Sequence, residues 1–389
     1  MKVAEAPVSH LSHFECSGCH RVFERELLPS FCEDCHAPLL ARYGFLTGIE
    51  QPAFHISHES MWRYFRLLPL SAPRHIVSLG EGLTPVISLD RLGPVLGIEH
   101  LWIKDESLNP TGSFKARGLS MAVSMVRQAG KTHCVVPTAG NAGGALSAYC
   151  AKAGIKATVI MPRHTPEVFK KECEYFGAEL ILVDGLIDKC GWLAREMKEK
   201  HGYVDISTMK EPFRLEGKKT MGFEIAEQFA GKLPDVIVYP CGGGTGLIGI
   251  WKAFMEWREL GWLEGPLPKM IAVQAANCAP VVQSFHLGKT DQAFRPSIAN
   301  GLAVPTPFAK KMILDILHES KGGALAVEDQ DMIEGVKKLA KYEGLFVAPE
   351  GGALIAALPQ LLDQKLIQQD DTVLLINTGS AYKYLENMP

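Results

Sequence analysis

The sequence predicts an α/β protein built on parallel sheets, with helices covering both faces. Two observations predict it: short β-branched runs recur along the chain, and helical patterns fill the spaces between them. The runs lie at residues 101–104, 133–137, 157–161, 179–183, 236–239, 271–274 and 373–376 and are apolar almost without interruption. Strands of that kind are buried on both faces, as in parallel sheets; one-sided antiparallel sheets alternate instead. A third observation is the length of 389 residues, more than one core usually supports, which predicts two or three domains.

The helical patterns carry their own signals. Residues 113–128 place Phe114, Leu119, Val123 and Val126 at mixed three- and four-residue steps, with Ser113 as a candidate cap. Residues 165–176 open with Thr165-Pro166-Glu167, an N-cap, an N1 proline and a first-turn acid. A third helix runs from about residue 245 to 260, and its tryptophans Trp251 and Trp257, with Trp262 beyond, read as core or interface. Ahead of this body lie a Cys- and His-rich segment over residues 1–40 and a connector over 41–77, punctuated by Gln51-Pro52, Pro69 and Pro73.

Forty basic and 43 acidic side chains give a formal charge of −3, and 47% of the residues are hydrophobic. That balance excludes a disordered chain and a nucleic-acid binder resting on a basic surplus. Residues 1–13 contain Lys2, Glu5, His10 and His13 and no apolar stretch, so they do not read as a secretory signal. The least charged later stretch, residues 236–251, contains Pro240 and several glycines and does not read as a membrane span. The expected setting is a reducing cytoplasm, where paired cysteines bind metal more often than they form bridges.

Cys16-x-x-Cys19 and Cys32-x-x-Cys35, with twelve residues between the pairs, match two knuckles offering four thiolates to one tetrahedral ion. With no open position, zinc there would fold the segment rather than catalyse; redox-active thiols are the alternative. Cys134, Cys150, Cys173, Cys190, Cys241 and Cys278 lack metal spacing and read as small buried hydrophobes.

In Asn109-Pro110-Thr111-Gly112-Ser113-Phe114-Lys115, the lysine falls in the first turn of a helix, where the positive end of the dipole disfavours a cation. A broken local rule marks a functional candidate, and the same field suits a free amine for Schiff-base chemistry. A solvated lysine on an amphipathic helix is the plainer alternative. Cys241-Gly242-Gly243-Gly244-Thr245-Gly246 joins a strand to a helix, and its N–H groups can converge on an anion. Gly244, Gly246 and Gly249 match GxGxxG, but the next strand runs into Gln274-Ala275-Ala276-Asn277, without the acid that a dinucleotide ribose needs. Isolated phosphate binding or a tight turn remains. Thr138-Ala139-Gly140-Asn141 offers N–H groups and an amide for a carboxylate, and Thr378 presents a hydroxyl at a strand end. Taken singly, each of these also fits an ordinary turn. Neither a P-loop, a GxSxG elbow nor an HExxH helix occurs in the sequence.

Taken in order, these motifs and Arg214-Leu215-Glu216-Gly217-Lys218-Lys219-Thr220 resemble the threonine synthase branch of the fold-type II, tryptophan synthase β-like, pyridoxal-phosphate enzymes. The resemblance runs from about residue 78 to 389, and the zinc ribbon also resembles a subset of that branch. It implies two three-layer domains, a mobile smaller one over about 115–220 and a larger one from about 78–114 plus 221–389. It implies that Lys115 binds pyridoxal phosphate covalently and shuttles protons, with Phe114 beside the ring. Gly242, Gly243, Gly244, Thr245 and Gly246 would bind the cofactor phosphate, Asn141 the ring hydroxyl and Thr378 the pyridine nitrogen. Thr138, Ala139, Gly140 and Asn141 would close on the substrate carboxylate.

The implied reaction is lysis of O-phosphohomoserine to threonine by β,γ-replacement, in a cytoplasmic homodimer. The alternatives are β-replacement on a phosphoserine-like substrate, as in cysteate synthases, and deamination of serine or threonine. A nucleotide-binding regulatory protein with a zinc interaction module is the reading from outside the enzymes. Three departures from the branch touch the substrate side: Ala116-Arg117 after the lysine, Glu211 where Asn is favoured before Pro212, and Ala381-Tyr382 after the last glycine motif. Lys218, Lys219, Arg163 and Lys383 are candidate ligands of an anionic substrate or plain solvated charges.

Overall fold

The structure is a computed structural model that describes residues 8–25, 28–44, 60–185, 187–290 and 294–388. Residues 1–7 and the Gln51-Pro52 punctuation lie outside the described residues. The chain divides into two compact units, one of Met1–Leu83 with Lys115–Met221, the other of Thr84–Phe114 with Gly222–Pro389.

The second unit is built on a six-stranded sheet. Its order is Gly323–Val327, Lys269–Ala275, Val236–Pro240, Thr372–Asn377, His100–Asp105 and Val86–Ser88. All neighbours run parallel except the last, which pairs antiparallel at the edge. Val236, Val238, Ile271, Val273 and Leu375 pack under Leu354, Leu358 and Leu361 of the Pro349–Asp363 helix. The strand at Gly323–Val327 escapes the sequence pattern because Gly-Ala-Leu-Ala-Val has a single β-branched residue. Three adjacent parallel strands, Val236–Pro240, Thr372–Asn377 and His100–Asp105, release their following loops side by side at one sheet edge.

A buried ionic cluster holds that edge. The Lys104 ammonium donates to the Thr84 carbonyl, Glu224 Oε2 and Gln228 Oε1, each at 2.9 Å. Glu106 accepts from Thr84 Oγ1 at 2.6 Å and from Asn109 Nδ2 at 2.8 Å, so the cluster reaches the 109–114 segment.

The first unit begins with an antiparallel ribbon, ordered Val22–Phe23, Leu11–Cys16 and Leu39–Tyr43. Residues 60–70, read from their neighbouring prolines as connector, are largely core: Met61, Trp62, Tyr64, Phe65 and Leu67 are buried in a 3-10 helix capped by Ser60. The cause is Glu81. Its buried carboxylate accepts from Trp62 Nε1 at 2.9 Å, Ser120 Oγ at 2.5 Å, the Leu79 N–H at 2.9 Å and Tyr149 Oη at 2.7 Å. Burial, and then the Glu81 charge, drive the Tyr149 hydroxyl well above its ordinary range, so it stays a donor. Beyond these lies an all-parallel sheet ordered Glu179–Val183, Lys156–Pro162, His133–Pro137 and Val204–Asp205.

The Lys115–Gln128 and Phe213–Gln228 helices meet at glycines. A Cβ at Gly118 would sit 2.9 Å from the Arg214 carbonyl, and one at Gly217 would overlap the Arg117 carbonyl. Arg117 is buried there and donates to Thr220 Oγ1 at 3.0 Å, so the Ala116-Arg117 departure has a packing role on its arginine side.

Two expected caps do not form. Ser113 is extended, its backbone bridges Gly379, and its buried Oγ has no hydrogen-bond partner among the described residues. The helix therefore starts at Lys115 rather than at 113. Thr165 is likewise buried without a partner for its Oγ1, and the helix there starts at Glu167 after Pro166. Trp257 is buried, stacked on Phe223 and edge-on to Trp262, as a core tryptophan should be. Cys134, Cys150, Cys173, Cys190, Cys241 and Cys278 are all buried, and none is in a disulfide.

Candidate active site

In the second unit, the loops at one sheet edge gather three of the expected features, the glycine loop, Thr378 and Phe114. Gly244 takes a left-handed φ of 72° and caps the Thr245–Glu259 helix, whose first backbone bond runs from Ile248 N–H to the Gly244 carbonyl. The N–H groups of the turn before it point out of the helix. Side chains are excluded around them: a Cβ would strike the Gly301 carbonyl at Gly242, Ile313 at Gly244 and Tyr239 Oη at Gly246. The Gly246 N–H itself donates to Tyr239 Oη, which leaves residues 242–245 to offer donors to an anion. A loop of glycine N–H groups at a helix start, without an acid among its residues, suits a phosphate monoester.

Thr378 and Phe114 sit beside it in the fold. The Phe114 N–H donates to the Thr378 carbonyl at 3.1 Å, and the Ser380 N–H to the Gly112 carbonyl at 3.1 Å. The Phe114 ring meets Tyr239 edge-on at 6.5 Å. Thr111 holds a left-handed φ of 60°, which is strained for a β-branched residue. Asn377 Nδ2, bound to Asp105 Oδ1 at 2.7 Å, fixes the start of the last loop.

In the first unit, Lys115 is half-buried at the head of its helix. The Lys218 amine is fully buried; burial, then the positive charges of Lys115 and Arg214, hold it well below the ordinary lysine range. Arg214 is buried and donates to the Ile206 carbonyl at 2.8 Å. Glu211 completes the group. One of its oxygens caps the Phe213–Gln228 helix, accepting the Phe213 and Arg214 N–H groups at 2.6 and 3.0 Å. Its other oxygen is buried with no hydrogen-bond partner among the described residues. Burial pushes its carboxyl up to about 7, against the pull of the Arg214 charge.

The 138–141 loop and the segment leading to Glu211 follow the neighbouring parallel strands His133–Pro137 and Val204–Asp205, so they leave the sheet at the same edge. Thr138 Oγ1 accepts the Gly140 N–H at 3.2 Å, and Gly140 heads the Asn141–Ala153 helix. Close packing also dictates the small residues that follow: Gly143 lies against Met161, Thr138 and Val159, and Gly144 against Glu172.

The basic candidates separate. Lys218 is near enough to feel the Lys115 charge, whereas buried Lys219 is committed to Glu216 at 2.5 Å and the Leu67 carbonyl at 2.8 Å. Arg163 is exposed and paired with Asp184 at 2.6 Å, and Lys383 is half-buried beside Gly112. Tyr239 went unread in the sequence; its signal was a tyrosine three residues before the glycine run.

In the ribbon, the Sγ atoms of Cys16, Cys19, Cys32 and Cys35 lie within 4.8 Å of one another, and none forms a disulfide. Four thiolates at a Zn–S distance of about 2.3 Å stand about 3.8 Å apart, so the donor set fits zinc. Burial raises the Cys16 thiol, but the Cys19 and Gly18 N–H groups outweigh it and bring it down to about 6.

A family model for pyridoxal-phosphate-dependent enzymes matches residues 77–379. The chain belongs to that family. Among the enzyme's relatives, threonine synthase from Methanosarcina acetivorans is 33% identical over 376 residues, covering 95% of this chain and 92% of its own. Threonine synthase from Methanocaldococcus jannaschii is 33% identical over 380 residues, with the same coverages. The enzyme's fold matches an L-serine ammonia-lyase from Rhizomucor miehei with a TM-score of 0.67 at 20% identity, covering 79% of this chain and 99% of the other. It also matches a pyridoxal 5'-phosphate-dependent aspartate racemase with a TM-score of 0.66 at 22% identity, covering 79% and 92%. Among the described residues, no helix of the enzyme is long and apolar enough to cross a membrane.

Proposed function

We propose that the enzyme is a threonine synthase-like lyase that takes O-phosphohomoserine and water to threonine and phosphate. The observation that carries this reading is that Arg214 and Lys218 are buried and that the charges of Lys115 and Arg214 reach Lys218, a group of basic side chains suited to a phosphorylated amino acid. Lys115 would hold the cofactor and residues 242–245 its phosphate, with Phe114 and Thr378 flanking the ring and Asn141 at its hydroxyl. When bound, pyridoxal phosphate supplies an electron sink for carbanion character at the substrate α-carbon. The Lys115 amine would take the α-proton and return protons further along the substrate. Thr138, Ala139 and Gly140 would hold the substrate carboxylate, and Arg214 and Lys218 the departing phosphate.

The smaller domain, about residues 115–220, is the mobile part in this reading, and the working form is a cytoplasmic homodimer. The four ribbon cysteines hold structural zinc. Phosphate release from O-phosphohomoserine tests the reaction, and its absence with turnover of another amino acid overturns it. One observation favours a second reading: the second Glu211 oxygen suits a substrate that brings a hydrogen-bond donor, such as the hydroxyl of serine or threonine. That reading expects ammonia and a keto acid in place of phosphate.

Glu211 also gives the first reading a pH signature. Its carboxyl titrates near 7 in the fold, so it is neutral below that pH and anionic above it. The anion repels substrate phosphate, so KM for O-phosphohomoserine should rise above pH 7, by up to about tenfold per unit. Glu211→Gln keeps an oxygen for the helix N–H groups and should flatten the rise. Superimposable KM profiles for the two proteins would contradict it.

A further inference from the structure

The ribbon docks on the segment that carries the cationic group. Phe14 meets Phe213 edge-on at 6.1 Å, and Ser30 Oγ donates to the Lys210 carbonyl at 3.0 Å. Tyr43 Oη donates to Glu216 Oε2 at 2.5 Å, while its ring lies under the Lys219 ammonium at 4.1 Å from the centroid. Glu216 and Lys219 are buried and paired with each other, so Tyr43 closes a three-membered polar network.

Helical geometry shows what this contact does. At about 100° per residue, Phe213, Glu216 and Lys219 share one side of the helix and Arg214 and Lys218 the other, with Gly217 between Phe213 and Arg214. The ribbon grips the first side. The second carries Arg214 and Lys218, and the Gly118 and Gly217 contacts with the Lys115 helix leave no room for a side chain. The first two turns are thus clamped from both sides, and the helix rotation that aims Arg214 and Lys218 depends on the ribbon side as well.

We propose that the ribbon is a positioning element for the substrate-anion group, with Tyr43 as its positioning residue, rather than a passive appendage. The strands hold Phe14 and Tyr43, and the loop between them Ser30, in register only while the four cysteines are drawn together, so metal occupancy governs substrate affinity. The affinity part rests on the O-phosphohomoserine reading; the mechanical part does not.

The test uses full-length holoenzyme with two readouts. Hydrogen exchange, measured without substrate, should quicken at least about tenfold at amides 213–220 when a zinc chelator is added, while amides 133–137 stay unchanged. Tyr43→Phe keeps the ring over Lys219 and removes one hydroxyl. It should raise KM for O-phosphohomoserine about three- to tenfold, leave kcat within about twofold, and leave the cofactor absorbance intact. Ser30→Ala should act in the same direction more weakly. Unchanged exchange at 213–220 after metal loss overturns the proposal, as does a Tyr43→Phe effect confined to kcat. If the unaltered enzyme ignores O-phosphohomoserine, the substrate reading falls, and the exchange result alone decides the clamp.

Discussion

Lys115→Ala should abolish the visible absorbance of the holoenzyme and cut turnover by about 100- to 10,000-fold or more, the range for losing a positioned proton-transfer group. The reasoning starts from placement. Lys115 is the first residue of its helix, where the dipole opposes a cation, and it stands close enough to Lys218 for its charge to act there. Lys115 is only half-buried at the head of its helix, so the variant should keep its fold, read by circular dichroism, while losing the added stability that bound cofactor gives. Loss of chromophore with retained fold is the expected pair of results. Full absorbance in the variant would remove Lys115 from the chemistry.

The second large effect concerns stability. Lys104→Met should destabilise the fold by about 3–5 kcal/mol, because it takes the ammonium away from two buried carboxylates, Glu224 at 2.9 Å and Glu106 at 4.0 Å. Methionine fills the space of the stem, so the cost is electrostatic rather than a cavity. Guanidinium denaturation of the cofactor-free protein should show the midpoint shift. The double change Lys104→Met with Glu224→Gln should recover part of the loss. A single-variant cost below about 1 kcal/mol would mean that the cluster relaxes or hydrates.

Much of this was legible in the sequence, and the reason is physical. Strands such as Val236–Pro240 and Thr372–Asn377 are buried on both faces, so each of their residues reports the same environment. The glycine loop was legible because only glycine fits against the Gly301 carbonyl, Ile313 and Tyr239. What was hidden depends on distant partners. Ser113 looks like a cap until Gly379 pairs with its backbone, and Glu81 looks like a turn acid until Trp62, Ser120 and Tyr149 converge on it. Lys104 had a signal that passed unread, a lysine within an apolar strand. The Tyr43–Glu216 contact joins residues 173 positions apart, and no local pattern announces it.

The cysteines give the molecule a built-in gauge. Of the ten thiols, only Cys19 and Cys35 are exposed, and both belong to the four-sulfur cluster. A thiol reagent added to folded protein therefore samples the ribbon and is shut out of the body. If the ribbon holds zinc as proposed, its uptake with and without chelator would count metal-free molecules directly, before any substrate has been chosen.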